Sequence, residues 1–493
     1  MRILFTILML AVFSFGSFGQ NGTPEDYLSK EFHQNRRDAL RASMPTNSVA
    51  VFFANAVRNR ANDVDYVYHQ DPNFYYLTGY KEPHAVLVVF SENQTDKDSG
   101  LTYNEKIYVQ QRNADREQWT GIRLGVEGVK KQLGFENAYN GSEFLNSAID
   151  FPSFDKVMYI DFEDDYRNTR ETADLYDLVQ SFKIQTKLIN NYTIDNQTDD
   201  LEVDAMTNVE TKTVKTDYRL LSRLMAGLRE IKTKDELVLL TKAVRISAMG
   251  QREIMKAMHP GMSETEIQGV HEFIYKTYGS EYEGYPSIVG AGNNGCVLHY
   301  IENTKMKVEN DLVLMDLGAE YHGYTADVTR TIPANGTFSA TQKAIYDIVY
   351  EAQEAGIAAA VIGNTMQSLD TAARKVVYQG LITLGIAKNE SDARRYFPHG
   401  TSHHIGLDIH DPRTDGVLKA NMVITVEPGI YIPKGSDCDP KWHGIAVRIE
   451  DDILITENGP VNLSAEAPRT SDAIEKLMKE KSVLNKLKLP ELD

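Results

Sequence analysis

The sequence predicts a two-domain α+β chain: an N-terminal mixed α/β domain, then an α+β domain of helices packed outside a curved antiparallel sheet. Three observations predict it. At 493 residues the chain exceeds what one ordinary hydrophobic core organises. In its first 215 residues, short β-branched runs alternate with helical or polar stretches, the pattern of a mixed sheet with covering helices. Beyond a polar stretch, NNYTIDNQTDD, helix-start signals dominate and strand-like runs fall between and after them.

Along the chain, Met1–Arg2 precedes the apolar run ILFTILMLAVFSF, and Ser17 and Gly19 are small residues at the minus-three and minus-one positions of a cut before Gln20. This is the pattern of a secretory signal peptide over residues 1–19. The run is short for a bilayer span and no Cys follows it, so the expectation is export to the periplasm or the medium without a stable membrane anchor. Residues 20–215 form the first domain, with strands at VAVFFA, AVLVVF and KIYVQ. Residues 216–465 form the second. Thr233 with Glu236, Ser263 with Glu266 and Ser339 with Gln342 each make a capping-box pattern ahead of an apolar-periodic helix, and His259–Gly261 ends the first of these. Residues 466–493 are charged and Lys-rich, a surface helix or a disordered tail.

Composition excludes some partners. Apolar content of 42% and charged content of 25% describe a soluble globular protein, and a formal charge of −18 argues against nucleic acid, which needs clustered Lys and Arg. Cys296, placed in an NGCVLH strand, and Cys438 are the only cysteines and are expected to stay unpaired.

Five residues carry the chemistry. Asp316 and Asp327 bracket DLGAEYHGYTAD, where an apolar run ends in a carboxylate and a Gly-containing segment returns, so the two acids face one another across neighbouring strands. His403 closes HGTSH, Glu427 follows VITV and opens EPGIY, and Glu450 ends VRIE before DDILI. Four carboxylates and one imidazole are the inventory of a two-metal hydrolytic site. Two cations about 3.5–4 Å apart repel each other unless shared carboxylates clamp them. The oxygen-rich set suits Mn²⁺, Co²⁺ or Fe²⁺ ahead of a structural zinc.

The segments SIVGAGNNGCVLHYIEN, DLGAEYHGYTADVTRT, HGTSHHIGLDIHD, TVEPGIYIP and GIAVRIEDD, in that order, resemble the aminopeptidase P branch of the M24 "pita-bread" metallopeptidases. RRDAL, YVYHQDPNFYYLTGY and EPHAVLVVF resemble that family's non-catalytic first domain. The resemblance implies that Asp316, Asp327, His403, Glu427 and Glu450 hold two divalent ions, Mn²⁺ foremost, with Co²⁺, Fe²⁺ or Zn²⁺ as alternatives. It implies cleavage of the Xaa–Pro bond at a peptide's amino end by a hydroxide bridging the ions. His299 and His410 would contact the scissile carbonyl and the tetrahedral intermediate, and His399 would face the proline side. Glu427 would also move the proton to the leaving amine, while Arg448 and Tyr431 orient the carboxylates.

Trp119, in REQWTGIRLG, would reach a neighbouring subunit's site in a homo-oligomer, a dimer or tetramer. Asn73 stands where some members carry an acid that recognises the free amino terminus, so Asp71 is the substitute candidate. A prolidase, which cuts Xaa–Pro dipeptides, shares the ligands and remains the alternative, although its histidine motif reads HGxGH where Ser402 stands here. A methionine aminopeptidase would lack the long first domain, and a non-catalytic peptide-binding member would have lost ligands. Among other histidines, His33, His69 and His271 are expected to be satisfied structural residues. His404 is expected to point away, and His322 and His443 to lie at the surface or behind the site.

Overall fold

A computed structural model of the chain describes residues 26–96, 99–147, 149–160, 172–188, 215–414 and 416–486. The expected signal peptide, the stretch NNYTIDNQTDD and the last seven residues lie outside the described residues.

In the first half, α1 (Lys30–Ser43) starts at Ser29, whose hydroxyl accepts from the Phe32 amide, and buries Phe32 and Leu40. A five-stranded sheet follows, built from β1 (Ser48–Phe53), β2 (Val86–Thr95), β3 (Thr102–Val109), β4 (Ala138–Asn140) and β5 (Lys156–Tyr159). Its order is β4-β3-β2-β1-β5; the β1–β2 and β2–β3 pairs are antiparallel, and β1–β5 and β3–β4 are parallel. β1 and the first half of β2, Val86–Phe90, read as unbroken apolar runs because both of their faces are covered. Ala50, Phe52, Leu87 and Val89 pack towards α1, whereas Val49, Val51, Val86 and Val88 pack towards Leu178 and Phe182 on α4 (Leu175–Thr186). Two shorter helices, α2 (Pro72–Thr78) and α3 (Ala114–Thr120), carry residues singled out above.

In the second half, α5 (Tyr218–Arg229) leads into α6 (Lys234–Ala257), where Thr233 and Glu236 close a reciprocal capping box. Ser263 caps α7 (Glu264–Thr277) through the Glu266 amide, and Ser339 with Gln342 boxes α8 (Ala340–Ala359), which packs along α9 (Met366–Thr383). These helices cover short antiparallel sheets. β6 (Tyr282–Glu283), β9 (Ala319–Tyr321) and β10 (Tyr324–Thr325) form one, and β7 (Ile288–Ala291), β8 (Leu312–Asp316) and β11 (Thr329–Pro333) another. A third joins β12 (Val423–Val426), β15 (Asp451–Thr456) and β16 (Gly459–Asn462), and β13 (Gly429–Ile432) pairs with β14 (Ile445–Arg448). Ile254, Met255, Ile267, Tyr346, Val349 and Val377 of the helices meet Val313, Met315, Ile430 and Val447 of the strands in one core. The two halves share a further core, in which Phe74 and Leu87 join Leu240, Val244, Tyr321 and Tyr324.

Four expectations need correcting. The charged C-terminal stretch packs: α10 (Ser471–Leu477) inserts Ile474 and Leu477 into the second core, because these two lie one turn apart on a single apolar stripe. Cys296 ends a 3₁₀ turn, Gly292–Cys296, rather than sitting in a strand; both cysteines are free. His322 is buried and stacked on Tyr27 at 3.6 Å, with Asp26 2.8 Å from Nε2 and Glu281 2.5 Å from Nδ1. His271 is fully buried with neither ring nitrogen hydrogen-bonded, and burial lowers it to about 3, so it is a neutral packing group against Gly250.

Candidate active site

The site is assembled from strand ends. β8 is buried along its whole length and ends on Asp316, which lies opposite Thr329 of β11, so Asp327 is returned to the same end of the sheet. Gly318 makes this return possible, since a Cβ there would collide with the Ala326 carbonyl oxygen. Glu427 directly follows β12, and its amide donates to Thr401 O at 2.8 Å. His403 runs beside β12 through Thr425, whose hydroxyl accepts from the His403 amide and whose amide donates to His403 O. Glu450 sits between β14 and β15, its amide donating to Thr329 O.

His403 Nε2 lies 3.4 Å from Asp327 Oδ2, 3.7 Å from Glu427 Oε1 and 4.0 Å from Glu450 Oε1. Its Nδ1 is 3.0 Å from its neighbour's carbonyl, His404 O, which favours the tautomer that leaves Nε2 free to ligate. Tyr285 Oη sits 2.5 Å from Asp316 Oδ1 and 2.7 Å from Asp327 Oδ1, one hydroxyl spanning both acids. Arg448 donates to Asp316 Oδ2 at 2.5 Å and to Tyr431 Oη at 2.9 Å, and Tyr431 Oη is 2.8 Å from His399 Nε2. A chain of contacts thus runs from Asp316 through Arg448 and Tyr431 to His399.

Electrostatics separate the acids. Burial opposes ionisation of Asp316, but the Arg448 charge and the hydrogen bonds from Tyr285 and Arg448 hold it below the usual carboxylate range. Burial, then the Asp316 charge, pushes Asp327 well up. Glu450 is pushed well up by burial and by Asp327 and Glu427, and Glu427 to about 7 by burial, against the pull of His403 and Arg448. Glu450 Oε2 accepts from Thr329 Oγ1 at 2.7 Å, while Oε1 is buried with no hydrogen-bond donor. An orphaned carboxylate oxygen beside mutually repelling acids is unfavourable unless cations fill the space between them. Ligand atoms of Asp327, His403 and Glu450 all fall within 4.8 Å of one another, so the donors fit a divalent metal.

These acids line a cavity of about 550 Å³ together with His299, His399, His410 and Arg448. Pro286, Ile288, Leu298, Ile301 and Ile409 form its apolar wall. The His410 ring meets the His403 ring edge-on at 4.5 Å. Burial lowers His399 to about 4 and also lowers His410, so both rings are neutral near pH 7. Asp411, next to His410, is buried and accepts from Arg229 at 2.5 Å and Lys232 at 2.7 Å, which pins the segment that presents His410.

Other candidates lie elsewhere. Trp119 is 87% exposed on α3 and outside the cavity lining. Asp71 is the N-cap of α2, its Oδ1 accepting from the Phe74 amide at 2.7 Å, and is also outside the lining. Asn73 accepts from Arg229 at 2.8 Å. His404 is buried with Nδ1 unpartnered. Sequence reasoning missed Tyr285, the apolar wall and Asp452, whose Oδ2 accepts from the Asp327 amide at 3.0 Å. The position of Tyr285, in EGYPS just ahead of SIVGAG, was the available signal, but an aromatic before proline reads as a turn.

Two family patterns match the chain: metallopeptidase family M24 over residues 238–457 and the aminopeptidase P N-terminal domain over residues 33–150. The Xaa-Pro aminopeptidase of Escherichia coli strain K12 is 33% identical over 468 residues, covering 92% of this chain and 98% of the relative. The chain belongs to the aminopeptidase P branch of metallopeptidase family M24. It is by that membership a metallo-aminopeptidase with the branch's α+β architecture. The structure of aminopeptidase P from E. coli with the inhibitor Pro-Leu superposes with a TM-score of 0.78 at 32% identity, covering 92% of this chain and 98% of that one. Proline aminopeptidase P II from Yersinia pestis gives 0.78 at 32% identity, covering 92% and 99%.

The raised acids make the metal-stripped protein sensitive to pH. An acid whose folded pKa lies above its unfolded value stabilises the fold below the unfolded value and loses that contribution as pH rises through the folded one. For Glu427 the loss runs from about 4.5 to about 7, and Asp327 and Glu450 add to it in the same direction. After chelation, the midpoint of thermal unfolding should therefore fall from about pH 5 to about pH 8, by at least ~2–4 °C, and metal should restore it. Calorimetry of stripped and reloaded protein checks this, and a stripped midpoint that stays level with pH would contradict the crowding.

Proposed function

We propose that the enzyme releases the amino-terminal residue from peptides with proline second, using two divalent ions, Mn²⁺ foremost, held by Asp316, Asp327, His403, Glu427 and Glu450. The observation that carries this reading is the convergence of four carboxylates and His403 on one cavity. The chain matches an Xaa-Pro aminopeptidase over nearly its whole length. When bound, the ions would supply Lewis acidity at the scissile carbonyl and lower the pKa of the attacking water.

The chain's own groups do the rest. His299 and His410 face the cavity and can each donate from a ring nitrogen to the oxygen on which negative charge develops. The proline nitrogen is a tertiary amide with no hydrogen of its own, so it leaves only when it receives a proton. Glu427, with Oε2 3.6 Å from His399 Nδ1, lines the cavity where that proton can be carried across. His399 is held by Tyr431, and Tyr431 by Arg448, so this edge of the site is ordered before substrate arrives. Pro286, Leu298 and Ile301 offer the apolar surface on which a proline ring is buried.

The same reading places the enzyme outside the cytoplasm, from the apolar run after Met1–Arg2, and in a homo-oligomer in which exposed Trp119 meets a neighbour's cavity. The mature protein, loaded with Mn²⁺, is expected to release the first residue from Xaa-Pro-Pro tripeptides and longer peptides. It should leave the same peptides intact when alanine replaces the second residue or when the amino end is acetylated. Mass spectrometry of the products decides: cleavage of a Gly-Pro dipeptide alone would make it a prolidase, and cleavage of acetylated peptide would remove amino-end recognition.

A further inference from the structure

Glu264, the first residue of α7, is a fully buried carboxylate. A buried acid is costly unless its oxygens are hydrogen-bonded, and the hydrogen bonds found for this one all come from a single segment, residues 291–305. Its Oε1 accepts from the Ala291 amide at 2.8 Å and Asn294 Nδ2 at 3.0 Å; its Oε2 accepts from Tyr300 Oη at 2.9 Å and the Lys305 amide at 2.7 Å. The Glu264 amide donates to Lys305 O at 2.9 Å, and the next hydroxyl, Thr265 Oγ1, donates to Asn303 O at 2.8 Å. One carboxylate at a helix N-terminus, where negative charge is favoured, thus ties the start, the middle and the end of one loop.

That loop forms part of the cavity wall. Leu298, His299 and Ile301 line the cavity, and after the turn Gly292–Cys296 the chain has no helix or strand until β8. Val297 and Ile301 are half exposed, so the outer face of the loop has little packing to hold it. Tyr300, next to His299, points the other way, into Glu264, and its hydroxyl also accepts from the Thr304 amide at 3.1 Å.

We infer that Glu264 is a positioning residue that sets His299 at the cavity wall, through the loop it anchors. The inference rests on the role given to His299 above. All four partners of the carboxylate act as donors, so an amide cannot replace it. Glu264→Gln turns an –NH₂ towards a group that is itself a donor, whereas Glu264→Asp keeps the acceptor chemistry. Tyr300→Phe removes one of the four bonds and serves as a milder variant should Glu264→Gln fold poorly.

The test has two readouts on the metal-loaded, full-length mature protein. Hydrogen exchange read by mass spectrometry should be faster in residues 292–304 of Glu264→Gln and Tyr300→Phe, with metal content unchanged and Glu264→Asp closer to wild type. Turnover of an Xaa-Pro-Pro tripeptide should fall in kcat more than in KM, by up to about 10²-fold for Glu264→Gln. In a His299→Ala background the same substitution should cost little more, because both act through one ring. Unchanged exchange in the loop overturns the inference, as does a full multiplicative loss in the His299→Ala background or a loss of metal. If wild type does not cleave the tripeptide, the proposed activity fails, and the exchange comparison alone decides whether Glu264 sets the loop.

Discussion

Asp327→Asn should abolish peptide hydrolysis and leave the fold intact. Asp327 sits between Tyr285 Oη at 2.7 Å and His403 Nε2 at 3.4 Å, with its amide bonded to Asp452. Asparagine keeps that shape and removes a charge shared by the metal-binding cluster. The loss should exceed the ~10–100-fold seen when a group that only supports ligands is removed. Stability of the metal-free protein should stay level or rise, since one repelling buried acid has gone. Activity, metal content by mass spectrometry and a thermal melt check the three parts together. Turnover retained with full metal content would defeat the two-ion assignment.

His410→Ala should keep the metal and still lose on the order of 10²–10³ in kcat, the cost of deleting a donor aimed at developing negative charge. Geometry separates the two cases: His410 lines the same cavity but touches His403 only edge-on at 4.5 Å. The variant should fold normally, because the segment is pinned by Asp411 with Arg229 and Lys232 and not by the imidazole. A drop in metal content in step with activity would make His410 a ligand instead.

Legibility differed from residue to residue. Asp316, Asp327, His403, Glu427 and Glu450 stood out because they lie in short motifs that end or adjoin strand-like runs, and all five do line one cavity. The caps at Thr233 and Ser339 were readable because a helix start is a local event, decided within four residues. His322 was misjudged in its burial, and His271, structural as expected, in its hydrogen bonding, because a lone imidazole carries no local sign of its surroundings; only the packing of α6 on α7, and of Asp26 with Tyr27 on the second domain, sets them.

By itself the sequence determined the order of the two domains, the apolar central strands of the first sheet and the four carboxylates and one imidazole that line the cavity, since these depend on residue type and short spacing. Only the tertiary structure decided that Tyr285 spans two acids 31 and 42 residues away, and that Arg448 and Tyr431 link Asp316 to His399. It also decided that Asp71 caps a helix outside the cavity lining, that Ile474 and Leu477 enter the core, and that Glu264 grips the loop of His299. The physical reason is the same in each case. A hydrogen bond or an apolar contact is a matter of a few ångströms, and which distant groups come that close is settled by how helices and sheets pack, which no local pattern records.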